Sequence, residues 1–266
     1  MYPIHQALTL VASGMNHYGA YSDTSNAIGG YGLGGFYIDQ WYILLVIPAM
    51  IIALIAQARV KSAYKKYSQI GNSRGLSGAQ AARMILDDHG LTYVPINMVQ
   101  GTLSDHFNPK DNTVNLSPEV YSGTSIASIG IAAHEVGHAI QHAEHYFPNK
   151  VRSAVIPITN FGSNISMILI LIGLFVAAFN WLAWIGVALY STVAIFQLVT
   201  LPVEFNASHR AMIHIKRLGI ANDTDAKGVK KVLSAAAMTY VAALITSLAS
   251  FLRIFLIVSG SGRRRN

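Results

Sequence analysis

The sequence contains no cysteine, which excludes disulfide scaffolds, thiolate zinc sites, cysteine nucleophiles and iron–sulfur clusters, since each requires the sulfur. Any metal must therefore sit on His, Asp or Glu. Charge is also scarce: charged residues make up 12% of the 266, against roughly 25% in an ordinary soluble domain. Hydrophobic residues reach 52% and the mean hydropathy is +0.40. The balance is that of an integral membrane protein. A net charge of +7 would suit nucleic acid if the basic residues formed one face. They are instead absent from residues 1–58 and 164–203 and crowd the flanks of those apolar stretches, the pattern of cytoplasmic membrane edges. No nucleic-acid partner is expected; the lipid bilayer is.

Residues 41–58 (WYILLVIPAMIIALIAQA) are uncharged, open on the pair Trp41-Tyr42 and are followed by Arg59 and Lys61. That is a first transmembrane helix with an interfacial aromatic pair at its start. Basic residues lie only after it, so the positive-inside rule places the N-terminus outside and residues 59–163 in the cytoplasm. With no basic region ahead of it, it does not read as a cleaved signal peptide. Residues 164–203 hold no charge over a length sufficient for two spans. They read as a transmembrane hairpin turning near Asn180-Trp181. Residues 204–231 form a polar helix and cytoplasmic segment. Residues 232–258 are again apolar but carry Arg253, and are expected either to span or to lie in the interface. A basic tail occupies 259–266. Residues 1–40, rich in Gly, Tyr and Ser without periodicity, are expected to be a flexible arm.

In the cytoplasmic part, Ser77 is a suitable N-cap for a helix through Ala79, Ala82 and Ile85 that stops at Gly90. Residues 91–99 and 113–117 read as short strands separated by the Asn108-Pro109-Lys110-Asp111-Asn112 turn cluster. After Ser125 comes IASIGIAAHEVGHAIQHAEHY, which should be a largely buried helix. It contains His134-Glu135-Val136-Gly137-His138. Two His at i and i+4 project from one helical face about 6 Å apart, close enough for both to hold one Zn²⁺, and Glu135 is placed to act on a metal-activated water. With ten His and four Glu in the chain, this pattern arises in only about 0.6% of shuffled sequences. Two buried histidines and a carboxylate in an apolar helix would also be costly without a metal or a full set of hydrogen bonds.

Catalytic zinc usually has three protein ligands. His142 continues the series, but eight residues of helix carry it about 12 Å from His134, too far for the same ion. With Gln141 and His145 it is expected to form a polar face toward the cleft or to support the ligands from behind, the alternative being plain solvation. The Glu residues outside the motif are Glu119, Glu144 and Glu204. Glu119 reads as a surface charge and Glu144 is too far along the same helix. Glu204 closes the uncharged hairpin and opens a polar helix, where a lone carboxylate at the membrane edge needs a partner. It is assigned as third ligand, with His209 and Asp105 in reserve.

These motifs resemble the YugP-like family of bacterial neutral zinc metallopeptidases. The resemblance is carried by Ser104-Asp105-His106-Phe107-Asn108-Pro109, by residues 115–121 (NLSPEVY), by residues 134–142 (HEVGHAIQH) and by residues 202–208 (PVEFNAS). With the spans it covers roughly residues 41–258. It implies a zinc-dependent peptidase whose third ligand is the Glu of the E-F-N-A-S segment, here Glu204. A more distant similarity is to HtpX-like membrane proteases, which have an acidic residue four places after the ligand Glu. Ser208 stands there in this chain, so Asn206 or Ser208 is expected to orient the site instead.

The expected fold is mainly α: an integral membrane protein with three to four spanning helices and a small α+β, zincin-like catalytic domain. The expected function is zinc-dependent endopeptidase hydrolysis of a peptide or membrane-protein substrate at the cytoplasmic side of the cell membrane. Zn²⁺ would be held by His134, His138 and Glu204, with Glu135 as general base. Strand 113–116 reads either as a docking strand for an extended substrate or equally as an ordinary sheet strand, and His209, Arg210 and Tyr240 are candidate oxyanion donors. The alternative is a non-catalytic zinc-binding membrane scaffold, for which Glu135 would not be required.

Overall fold

A computed structural model of the chain describes residues 30–33 and 36–263. The expected flexible arm lies mostly outside the described residues, as does the end of the basic tail. The arm's last part forms a hairpin of β1 (Gly30–Leu33) and β2 (Phe36–Asp39), with Tyr31 opposite Ile38, although the sequence there shows no strand periodicity. The remainder is mainly helical: α1 (Tyr42–Tyr67), α2 (Gly78–Asp88), α3 (Pro118–Tyr121), α4 (Ile126–Ala143), α5 (Phe147–Phe175), α6 (Asn180–Arg217) and α7 (Asp223–Arg263). Among the described residues, α1, α5, α6 and α7 are long and apolar enough to cross a membrane. The chain divides into two compact units, to both of which α1, α5, α6 and α7 contribute residues.

The first unit comprises Ala56–Lys150 and Thr200–Tyr240. Its α2 begins as the sequence predicts: the Ser77 hydroxyl accepts the Gln80 N–H, and the Gln80 side chain accepts the Ser77 N–H. It ends at Gly90, whose φ of +69° closes the helix and returns the Leu91 N–H to the Leu86 carbonyl. Three short strands, β3 (Ile96–Met98), β4 (His106–Asn108) and β5 (Thr113–Leu116), form a mixed sheet in the order β3-β5-β4. Val114 faces Ile96 in the parallel pair and Phe107 in the antiparallel one. Of the two readings of strand 113–116, the structure supports the ordinary sheet strand over the docking strand: β5 is central, both its edges are occupied and all four of its residues are buried. Helix α4 starts at Ser125, whose Oγ accepts the Ser128 N–H. Ile85, Leu86, Val114, Leu116, Ile129, Val136, Ala211, Ile215 and Val229 are fully buried in one continuous core, so sheet, α4 and the ends of α6 and α7 form one body.

The second unit comprises the described residues 30–55, Val151–Val199 and 241–263. Its surface is strongly apolar: Ile51, Leu54, Ile168 and Leu198 are each about half exposed, as lipid-facing residues are and core residues are not. The hairpin turns at Ala177–Phe179, just before the expected Asn180-Trp181. A Cβ on Gly173 would lie 2.3 Å from the Ala183 nitrogen, and one on Gly186 would lie 2.6 Å from the Ser166 carbonyl. Only glycine lets α5 and α6 approach this closely, the small-residue packing typical of membrane helices. The third span and the ligand-bearing helix, divided at residue 203 in the sequence reading, are one continuous helix with Pro202 inside it.

Arg253 also finds its explanation here. Its guanidinium donates to Asp39 Oδ2 at 2.9 Å and lies over the Tyr42 ring, while Asp39 Oδ1 accepts the Tyr42 N–H. Thr246 Oγ1, farther from the C-terminus of α7, lies 3.5 Å from the Ala49 carbonyl on α1. The two contacts show α1 and α7 running antiparallel. The charge that made 232–258 ambiguous is neutralised at one end of the bundle.

Candidate metal centre

Helix α4 buries most of its length, and the spacing of the motif sets His134 and His138 side by side, with ring centroids 4.8 Å apart and planes at 86°. What brings a third group to them is the residue between. A Cβ on Gly137 would stand 2.6 Å from the Ala207 carbonyl oxygen, a separation side chains do not tolerate. Glycine therefore lets the α4 backbone lie directly on α6. Glu204, one turn before Ala207, is delivered to the histidine pair by that crossing.

The Glu204 side chain is 1% exposed and that of His138 3%. Glu204 Oε2 lies 3.4 Å from His134 Nε2 and 3.5 Å from His138 Nε2. Among the described residues these three form one of two groups whose donor atoms fall within 4.8 Å of one another. Zinc bonds of about 2.0–2.1 Å in tetrahedral array separate neighbouring ligand atoms by about 3.3 Å, close to the spacing found. His138 Nε2 is moreover buried without a hydrogen-bond partner, an arrangement that is costly unless something accepts its lone pair. The residues fit a zinc ion.

The outer ring nitrogens are held from both helices. Gln141 donates its amide to the Val203 carbonyl at 2.8 Å and to Asn206 Oδ1 at 2.9 Å, so its oxygen faces His138 Nδ1 at 3.0 Å. Nδ1 must then carry the proton, and Nε2 presents the lone pair. Ser208 Oγ lies 3.1 Å from His134 Nδ1. Asn206 Oδ1 in turn accepts from Arg210 Nε at 2.8 Å, and Arg210 pairs with Glu144 at 2.7 Å. Arg210, considered as an oxyanion donor, is thus committed to this network. The sequence suggested Asn206 or Ser208 as orienting groups and gave Gln141 a polar face toward the cleft or a place behind the ligands; the structure shows it in the latter, against His138. Its spacing of three residues from His138 was the available signal.

Glu135 is 6% exposed, and its Oε2 accepts the Phe107 N–H of β4 at 3.0 Å. Neither β4 nor this contact was expected, because three residues are too few to show periodicity. Asp105, a reserve ligand, accepts the N–H and hydroxyl of Ser117. Burial raises its carboxyl to about 6 against those hydrogen bonds, with the Glu135 charge adding to the rise. His142 packs its ring 5.6 Å from Phe107, and His209, the other reserve, is exposed.

Residues 42–259 match the family described as "Putative neutral zinc metallopeptidase". The chain belongs to this family. It is also 46% identical over 225 residues, 85% of this chain and 99% of the relative, to the "Putative membrane protease YugP" of Bacillus subtilis (strain 168). No solved structure matches it. The matched region begins at α1 and takes in all four apolar helices, the sheet and the histidine motif, so the relationship embraces both units.

Proposed function

We propose that this protein is a membrane-integral zinc endopeptidase that cleaves peptide or membrane-protein substrates at the cytoplasmic side of the cell membrane. The observation that carries the reading is the convergence of His134 Nε2, His138 Nε2 and Glu204 Oε2 at ligand spacing, with Glu135 on the same helix. Family membership supports a peptidase, and the clustering of Lys and Arg after α1 supports the cytoplasmic placement.

Zinc, when bound, supplies a Lewis acid that polarises the scissile carbonyl and makes water acidic enough to attack near neutral pH. Glu135 takes the proton of the attacking water and returns it to the leaving amine. Its Oε2 is anchored by the Phe107 N–H, which holds the carboxylate in one orientation. His138 and His134 keep their Nε2 lone pairs forward because Gln141 and Ser208 engage Nδ1. An extended substrate would run along β4, an edge strand in contact with Glu135, in place of the buried β5.

The deciding experiment compares wild type with Glu135→Gln on an unfolded substrate such as casein, together with zinc content. The variant should retain one zinc and lose at least about 10²-fold in rate. Zinc-loaded wild type that cleaves neither casein nor any membrane protein, with new N-termini as the readout, would favour the scaffold instead.

A further inference from the structure

The second group of clustered donors lies near the C-terminus of α6, beyond the residues discussed above. Helix α2 closes on Asp88-His89-Gly90, and the Gly90 turn fixes the direction in which Asp88 and His89 leave the helix. The His89 ring meets that of His214, on α6, edge to face at 4.2 Å and 88°. Asp88, His89 and His214 each bring a donor atom within 4.8 Å of the others. His214 is buried at 8% exposure, so the cluster has a firm wall on the α6 side.

The cluster is already organised around a positive charge. The Arg217 guanidinium pairs with Asp88 and lies 3.3 Å from His214 Nδ1. Carboxylate and imidazole lone pair thus both address one cation. Its side chain is 53% exposed, so it can swing into solvent without disturbing the core. Two imidazoles and one carboxylate are a donor set for a borderline-soft divalent ion rather than for Ca²⁺ or Mg²⁺, which prefer oxygen alone.

We propose that Asp88, His89 and His214 form a second divalent metal site, in which Zn²⁺, or a like transition-metal ion, replaces the Arg217 guanidinium. The ion would cross-link the end of α2 to α6, the helix that carries Glu204 ten residues earlier, about 15 Å along its axis. It binds more weakly than the site at His134, because Arg217 competes for it and Asp88 and His89 are partly open to solvent.

The test is a zinc titration of the full-length protein already carrying its first equivalent, followed by competition with a chromophoric chelator and by thermal melting. Wild type should take up a second equivalent and melt higher with it. His89→Gln and Asp88→Asn should each weaken that step by about tenfold or more and abolish the melting shift, while Arg217→Gln should tighten it. Retention of the second equivalent in both His89→Gln and Asp88→Asn, or uptake of one equivalent only by wild type, would overturn the proposal. Failure of the first-site reading shows separately, as retention of the first equivalent in His134→Ala.

Discussion

Gln141 and His138 are joined at 3.0 Å through the amide oxygen and Nδ1, and the same amide donates across the helix crossing to the Val203 carbonyl. One side chain therefore sets the protonated nitrogen of a histidine and ties α4 to the helix that carries Glu204. Replacing it by leucine should lower zinc affinity by about 10–100-fold while leaving the helices folded. Gln141→Glu should recover part of the loss, since a carboxylate accepts from Nδ1 but does not donate to Val203 or Asn206. Zinc competition with circular dichroism separates the two effects; unchanged affinity in Gln141→Leu would show that His138 needs no such partner.

Glu204 should be the anionic ligand. Glu204→Gln is expected to weaken zinc binding, and Glu204→Asp to restore it only in part, because α6 is held against α4 by the Gly137–Ala207 contact and does not advance to make up a shorter side chain. Metal titration of both variants is the measurement. Unchanged affinity in Glu204→Ala, with loss in Asp105→Ala or His209→Ala, would move the third ligand.

Asp105 gives stability a pH dependence of known sign. Its carboxyl is raised from an ordinary 3.8 to about 6 in the folded protein. Its contribution is therefore fully present below the lower value and is lost as pH rises through the upper one. Asp105→Asn removes this titration. The melting temperature of the variant relative to wild type should increase from about pH 4 to about pH 7 and then level off. A difference independent of pH would mean that the carboxyl titrates normally.

The pairing of Asp39 with Arg253 places the end of α7 beside the start of α1. Reporter fusions after residue 263 should accordingly report the same side of the membrane as fusions near residue 30, and fusions near residue 110 the opposite side. Should residues 110 and 263 report the same side, α7 does not span. Asp39→Asn should also destabilise the protein, since it removes the carboxylate that pairs with the Arg253 guanidinium.

The parts legible from the sequence are those whose physics is local. Helical periodicity alone sets His134 beside His138, Ser77 and Gly90 bound α2 through hydrogen bonds to near neighbours, and runs without charge mark membrane helices because lipid rejects charge. Glu204 was assigned on other grounds: it is one of four Glu in the chain, stands at the edge of the uncharged hairpin and opens the E-F-N-A-S segment that resembles the family. Tertiary structure decided what depends on distant pairs. No local pattern announces that Gly137 will admit Ala207, that β5 will be enclosed by β3 and β4, or that Arg253 will find Asp39 across 214 positions. Each of these rests on two segments that approach only after the chain has folded, and their partnership is settled by packing and by the cost of leaving a buried charge or polar group unmatched.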